Sequence, residues 1–115
     1  MPVNERDAEI LKHIAAYCDD IAGAVARFGD SYEAFSSDKD YRNACVFCIL
    51  QIGELSNHLS EDFKLSNKAM PWREIYGMRN IAAHHYGSMS IETVWGTVKE
   101  DIPALREYCS IYIDE

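Results

Sequence analysis

Apolar residues in this chain recur at helical steps, and little interrupts them. Ile10, Ile14, Tyr17, Ile21, Val25 and Phe28 are spaced by fours and threes, which lays one apolar stripe along a helix. Asn4, with Asp7 on the first turn, can cap that helix and Gly29 can end it, so the pattern predicts a helix from Glu5 to Phe28. Tyr41, Cys45, Cys48, Ile52, Leu55 and Leu59 form a second stripe, predicting a helix from Lys39 to Leu59 capped by Ser37 or Asp38. A third helix is expected to open at Pro71, which suits a first helical position, and to stop at Gly87. Trp72 and Tyr76 on it are expected to pack in the core, with base stacking as the alternative role. Ser90 can cap a fourth helix, along which Ile91, Val94, Trp95, Val98, Ile102, Leu105, Cys109 and Tyr112 keep a helical period. Pro103 removes a backbone bond from that helix, and a kink is expected because the pattern resumes at once. Ser31 to Ser37 reads as a connector with at most a short helical turn, and Glu61 to Met70 as polar and irregular.

The expected fold is all-α, an antiparallel bundle of four to five helices in a single domain over residues 1–115. With 115 residues, 48% of them apolar, the chain can build one core. The middle of the second helix adds Val46, Phe47, Ile49 and Leu50 to its stripe and is apolar nearly all round, which hints at a dimer face. No apolar run approaches a membrane span, and the start, Met1 to Asp7, carries no secretion signal. A reducing cytoplasm is the expected compartment. There, Cys18, Cys45 and Cys109 act as small hydrophobes. Cys45-Val46-Phe47-Cys48 is formally a Cys-x-x-Cys, but it lacks the preceding strand of a redox motif and the second pair of a zinc site.

One stretch concentrates polar chemistry. Met78 to Tyr86 reads Met-Arg-Asn-Ile-Ala-Ala-His-His-Tyr. Breaking a phosphodiester by transfer to a neighbouring hydroxyl needs no metal. It needs a proton carrier and a cation for the charge on phosphorus. Histidine, with an ordinary pKa of about 6.5, suits the first task, and the planar fork of arginine suits the second. His84 and Arg79 are the candidates, with Asn80, one turn before His84, as an orienting or phosphate-binding group. On an ideal helix Arg79 and His84 point about 140° apart. They converge if the last turn is distorted, if Arg79 reaches around, or if a second copy of the chain supplies half the site. His85 faces away from His84 and ranks second. Glu54 interrupts an apolar run on the second helix. It either faces solvent or points at Arg79 or His84, where it would fix the arginine and favour the charged imidazole.

These residues resemble a known family. Arg79, Asn80, His84 and Tyr86 match the Arg-x4-His-x-Tyr signature of the HepT-like toxins, helical ribonuclease domains of the HEPN superfamily. Gln51-Ile52-Gly53-Glu54 is similar to the family's Ile-Gly-Glu segment, Met70 to Ile75 to its Pro-Trp-x-x-Ile lead-in, and Val94-Trp95 with Asp101 to Leu105 to its last helix. The resemblance implies a HEPN-like bundle, with an extra short helix in some members. It also implies a metal-independent endoribonuclease toxin of a type VII-like toxin–antitoxin pair, acting as a homodimer with a composite cleft. The antitoxin of such pairs is an MntA-like nucleotidyltransferase that adds AMP to the motif tyrosine, here Tyr86. RNA, a second copy and that antitoxin are the expected partners, and no cofactor, metal or membrane is expected.

Charge is the difficulty for an RNA enzyme. The net of −8 opposes indiscriminate binding to phosphates. From Lys64 to Ile91, however, Lys64, Lys68, Arg73 and Arg79 stand against Glu74 alone, which allows a local basic patch on an acidic body. Two rivals remain open. One is a HEPN dimer that binds a nucleotide or RNA without cutting it. The other is a structural bundle whose Arg79 and His84 are buried in salt bridges.

Overall fold

The computed structural model describes residues 3–85 and 90–113, with residues 80–85 as backbone. Every regular element among them is helical: α1 (Glu5–Phe28), α2 (Tyr32–Ser37), α3 (Lys39–Asn57), α4 (Glu61–Ser66), α5 (Trp72–His85), α6 (Ile91–Gly96), a π-helical turn (Thr97–Asp101) and α7 (Ile102–Ile113). The all-α, antiparallel bundle is the fold expected from the stripes.

Capping explains where the helices begin. Asn4 Oδ1 accepts the Asp7 N–H at 2.7 Å, and Asp38 Oδ1 accepts from the Asp40 and Tyr41 N–H groups. Ser90 Oγ accepts from Thr93 N at 3.4 Å, as its position before the fourth stripe predicts. Gly29 ends α1 at φ 122, a conformation that disfavours any side chain, and its N–H bonds the Val25 carbonyl.

Two local expectations need correction. The polar segment after α3 is not irregular throughout. Ser60 caps α4, and Phe63 anchors it in the core against Trp72 and Tyr112. A helix this short carries too few residues to display a period. α3 also stops at Asn57, short of Leu59. At Pro103 the chain widens into a π turn, with the Ile102 N–H bonded to Thr97 O. The wider turn precedes the residue that has no N–H of its own to give. α6 and α7 thereby continue one line of buried residues, Val94, Val98, Ile102, Leu105 and Cys109.

Across the bundle, α3 packs on both α1 and α5, and α1 packs on α7. Its position between two neighbours accounts for most of the apolar middle of α3. Val46 and Ile49 are buried within the chain, Leu50 is half-buried, and Phe47 is left exposed. At one end of the core Phe35, Tyr41 and Trp95 meet edge to face or tilted. At the other end Phe63, Trp72, Tyr108 and Tyr112 do the same. The four cysteines are free and buried. Burial pushes the thiols of Cys18, Cys45 and Cys109 up to about 12 and that of Cys48 up to about 11, so Cys45 and Cys48 serve the core. Among the described residues no helix is long and apolar enough to cross a membrane.

Candidate active site

The site is built on a helix crossing that only glycine allows. At Gly53 of α3, a Cβ would stand 2.1 Å from Arg79 Cβ and 3.0 Å from Arg79 Cα. The missing side chain lets α3 and α5 meet backbone to side-chain root. The next residue, Glu54, then faces Arg79 directly, and Arg79 Nε donates to Glu54 Oε2 at 2.7 Å. Of the two positions open to Glu54 from sequence, the structure selects the pairing with Arg79.

The pair sits at the edge of the bundle. The Arg79 side chain is 26% exposed and that of Glu54 is 40%. An arginine that spends its Nε on a carboxylate keeps its two terminal nitrogens for another oxygen-rich partner. Tyr76, one turn before Arg79, lies beneath it, with the guanidinium carbon 5.9 Å from the ring centroid. The expectation that Tyr76 joins the core fails. The ring is one of the exposed large side chains, whereas Trp72 is buried with its indole N–H on the Asn67 carbonyl. Trp72 and Tyr76 are four apart on one face, but Trp72 meets Phe63 and Tyr108 while Tyr76 lies under Arg79 instead.

His58 was missed from sequence. Its Nε2 lies 3.9 Å from Glu54 Oε1, so one carboxylate faces the arginine with one oxygen and a histidine with the other. That separation is an ion-pair distance, too long for a hydrogen bond. A signal existed, because Glu54 and His58 are one helical turn apart.

The remaining candidates are located by backbone alone. α5 is helical through His85, so positions 79 and 84 keep the wide angle of a regular helix. A distorted last turn is therefore not what would bring Arg79 and His84 together. The side chains of Asn80, His84 and His85 lie outside the described residues, as does Tyr86. The basic patch is thinner than expected. Arg73 and Lys68 are exposed, but the charge of Arg79 is matched by Glu54, and α4 adds Glu61 and Asp62 beside Lys64.

A helical bundle carrying Arg79 and His84 of the signature on α5, with an acid from α3 on the arginine, is of the HEPN class. Residues 9–111 match the model described as ribonuclease HepT-like, and the chain belongs to that family. A Thermococcus cleftensis protein named "Probable ribonuclease HepT" is 36% identical over 95 residues, covering 78% of this chain and 86% of that protein. Two proteins named "Putative RNase" are also similar. One, from Methanocaldococcus jannaschii, is 34% identical over 80 residues, covering 70% of this chain and 73% of its own. The other, from Caldanaerobacter subterraneus, is 32% identical over 97 residues, covering 84% and 85%. No solved structure matches the chain.

Proposed function

We propose that the chain is a metal-independent endoribonuclease, the toxin of a type VII-like toxin–antitoxin pair, working in the cytoplasm as a homodimer. The observation that carries this reading is the Arg79–Glu54 pair, half-open to solvent, on the signature of a family whose relatives are named ribonucleases. In this reading the 2′-oxygen of a ribose loses its proton and bonds to phosphorus. The bond from phosphorus to the 5′-oxygen then breaks, and that oxygen takes up a proton. Arg79 holds a phosphate oxygen and steadies the added charge. His84 moves a proton, and Asn80 positions the imidazole or the phosphate. Glu54 orients the guanidinium.

The wide angle between positions 79 and 84 on a regular helix favours a cleft shared between two copies, each completing the other. Tyr86 is the proposed AMP acceptor. An MntA-like nucleotidyltransferase would join its hydroxyl to the α-phosphorus of ATP and release pyrophosphate. The added anion beside Arg79 would then repel RNA.

The structural rival asks that Arg79 be sealed in a salt bridge. The bridge is there, but a quarter of the side chain remains open. The test is incubation of the purified protein with RNA in the presence of a chelator. The parent leaves shortened products, and His84→Ala should lose roughly 10²–10⁴-fold in rate while the dimer stays folded. A His84→Ala protein that cuts at the parent's rate would overturn the assignment. Co-expression with the neighbouring gene should add AMP-sized mass to the parent and none to Tyr86→Phe, read by intact-protein mass.

A further inference from the structure

Cleavage through the 2′-oxygen moves two protons. One leaves the attacking hydroxyl and one reaches the departing 5′-oxygen, and the two oxygens stand roughly in line on opposite sides of phosphorus. His84 answers for one of them. The chain holds a second candidate on the other side of Arg79.

α3 and α5 run antiparallel. Trp72 at the start of α5 packs on Phe63 of α4, which follows the end of α3. From the Gly53–Arg79 contact, α3 therefore leads towards His58 in one direction while α5 leads towards His84 in the other. His58 lies roughly 7 Å of helical rise from the crossing, within reach of a phosphodiester held at Arg79, and in the shared cleft a His84 completes the site from the other copy. The His58 side chain is 57% exposed, and its Nε2 edge faces Glu54, leaving the Nδ1 edge for a ligand. An exposed Glu–His pair on one helix is by itself worth little. This one differs because its carboxylate also holds the signature arginine. His13, the other histidine whose side chain is described, sits on α1 beside Glu9.

We infer that His58 is the second proton-transferring residue of this site, protonating the 5′-oxygen as its bond to phosphorus breaks, while His84 takes the 2′-hydroxyl proton. This assignment rests on the ribonuclease reading above. The residue lies outside the Arg-x4-His-x-Tyr signature, at the C-cap of α3.

The experiment compares two RNA oligonucleotides, one ordinary and one with sulfur in place of the bridging 5′-oxygen at the cleaved bond. Sulfur departs without a proton. His58→Ala and His58→Gln should each lose about 10²–10⁴-fold on the ordinary substrate and keep nearly the parental rate on the sulfur substrate. His84→Ala should be slow on both. An equal loss on both substrates, or none on either, would overturn the role of His58. Full activity of His58→Gln would do so as well, since the glutamine amide keeps polarity but cannot give up a proton. If His84→Ala is inactive throughout, the ribonuclease reading survives a failure of His58. A parent that cuts neither substrate would sink both.

Discussion

Two carboxylates each join a pair of helices in this bundle, and they do it in opposite ways. Asp7 on α1 is 1% exposed. It accepts from Ser60 N at 2.9 Å, Ser60 Oγ at 2.6 Å and Asn4 Nδ2 at 3.0 Å, fastening the start of α1 to the start of α4. Every donor is neutral, and solvent is excluded. Glu54 on α3 is 40% exposed and faces the guanidinium of Arg79 and the imidazole of His58. The first arrangement is closed, with its hydrogen-bonding capacity used within the chain. The second is open and holds an arginine that is itself a quarter exposed. The two carboxylates thus differ in their donors and in their access to water, not in residue chemistry.

The sharpest way to break the contrast is to delete the closed carboxylate. Asp7→Ala leaves the Ser60 N–H and hydroxyl and the Asn4 amide without their partner. Each unsatisfied buried group costs about 1–3 kcal/mol, so a loss of roughly 3 kcal/mol or more in urea unfolding is expected. RNA cleavage by the fraction that remains folded should be unchanged. Gly53→Ala comes next. Its methyl would collide with Arg79 at the root of the side chain, and overpacking of this kind costs about 1–3 kcal/mol. Unlike Asp7→Ala, it should also impair cleavage, because separating α3 from α5 moves Glu54 off the guanidinium. A Gly53→Ala protein with parental stability would show that the crossing is looser than its geometry.

Glu54→Gln inverts the pattern. A half-exposed ion pair contributes about 0–1 kcal/mol, so unfolding should hardly change. Activity should fall, since the amide holds Arg79 without matching its charge. If stability fell as far as in Asp7→Ala while cleavage persisted, the two carboxylates would be alike and the comparison would be lost.

The same contrast marks what could be read from sequence. Stripes and caps placed α1, α3, α5 and the last helical line to within a few residues, because burial imposes a period on long helices. Ser90 and Asn4 cap as expected for the same local reason. The bond from Asp7 to Ser60 spans most of the first half of the chain and leaves no mark in local spacing. α4 is too short for a period. The π turn ahead of Pro103 follows from proline chemistry only once both flanks are known to be helical. At the site, the neighbouring Gly53 and Glu54 and the one-turn spacing of Glu54 to His58 were visible, but the partner that makes them matter, Arg79, is brought in by tertiary packing.

Tyr76 gives the smallest and most discriminating effect. Its ring was expected inside and is found outside, beneath the guanidinium of Arg79. A guanidinium over an exposed ring contributes about 0.5–1 kcal/mol, so Tyr76→Ala should change folding stability little. A base of the bound RNA can stack on the same ring, an interaction worth about 1–3 kcal/mol. Tyr76→Ala should therefore raise KM at least about fivefold, taking the lower end of that range, with kcat nearly unchanged, and Tyr76→Phe should restore KM because stacking needs the ring and not the hydroxyl. A fall in kcat with constant KM would instead mean that Tyr76 acts through Arg79, holding the guanidinium in place for the transition state. Either result locates the RNA relative to the open carboxylate, since Tyr76 and Glu54 contact the same arginine from different helices.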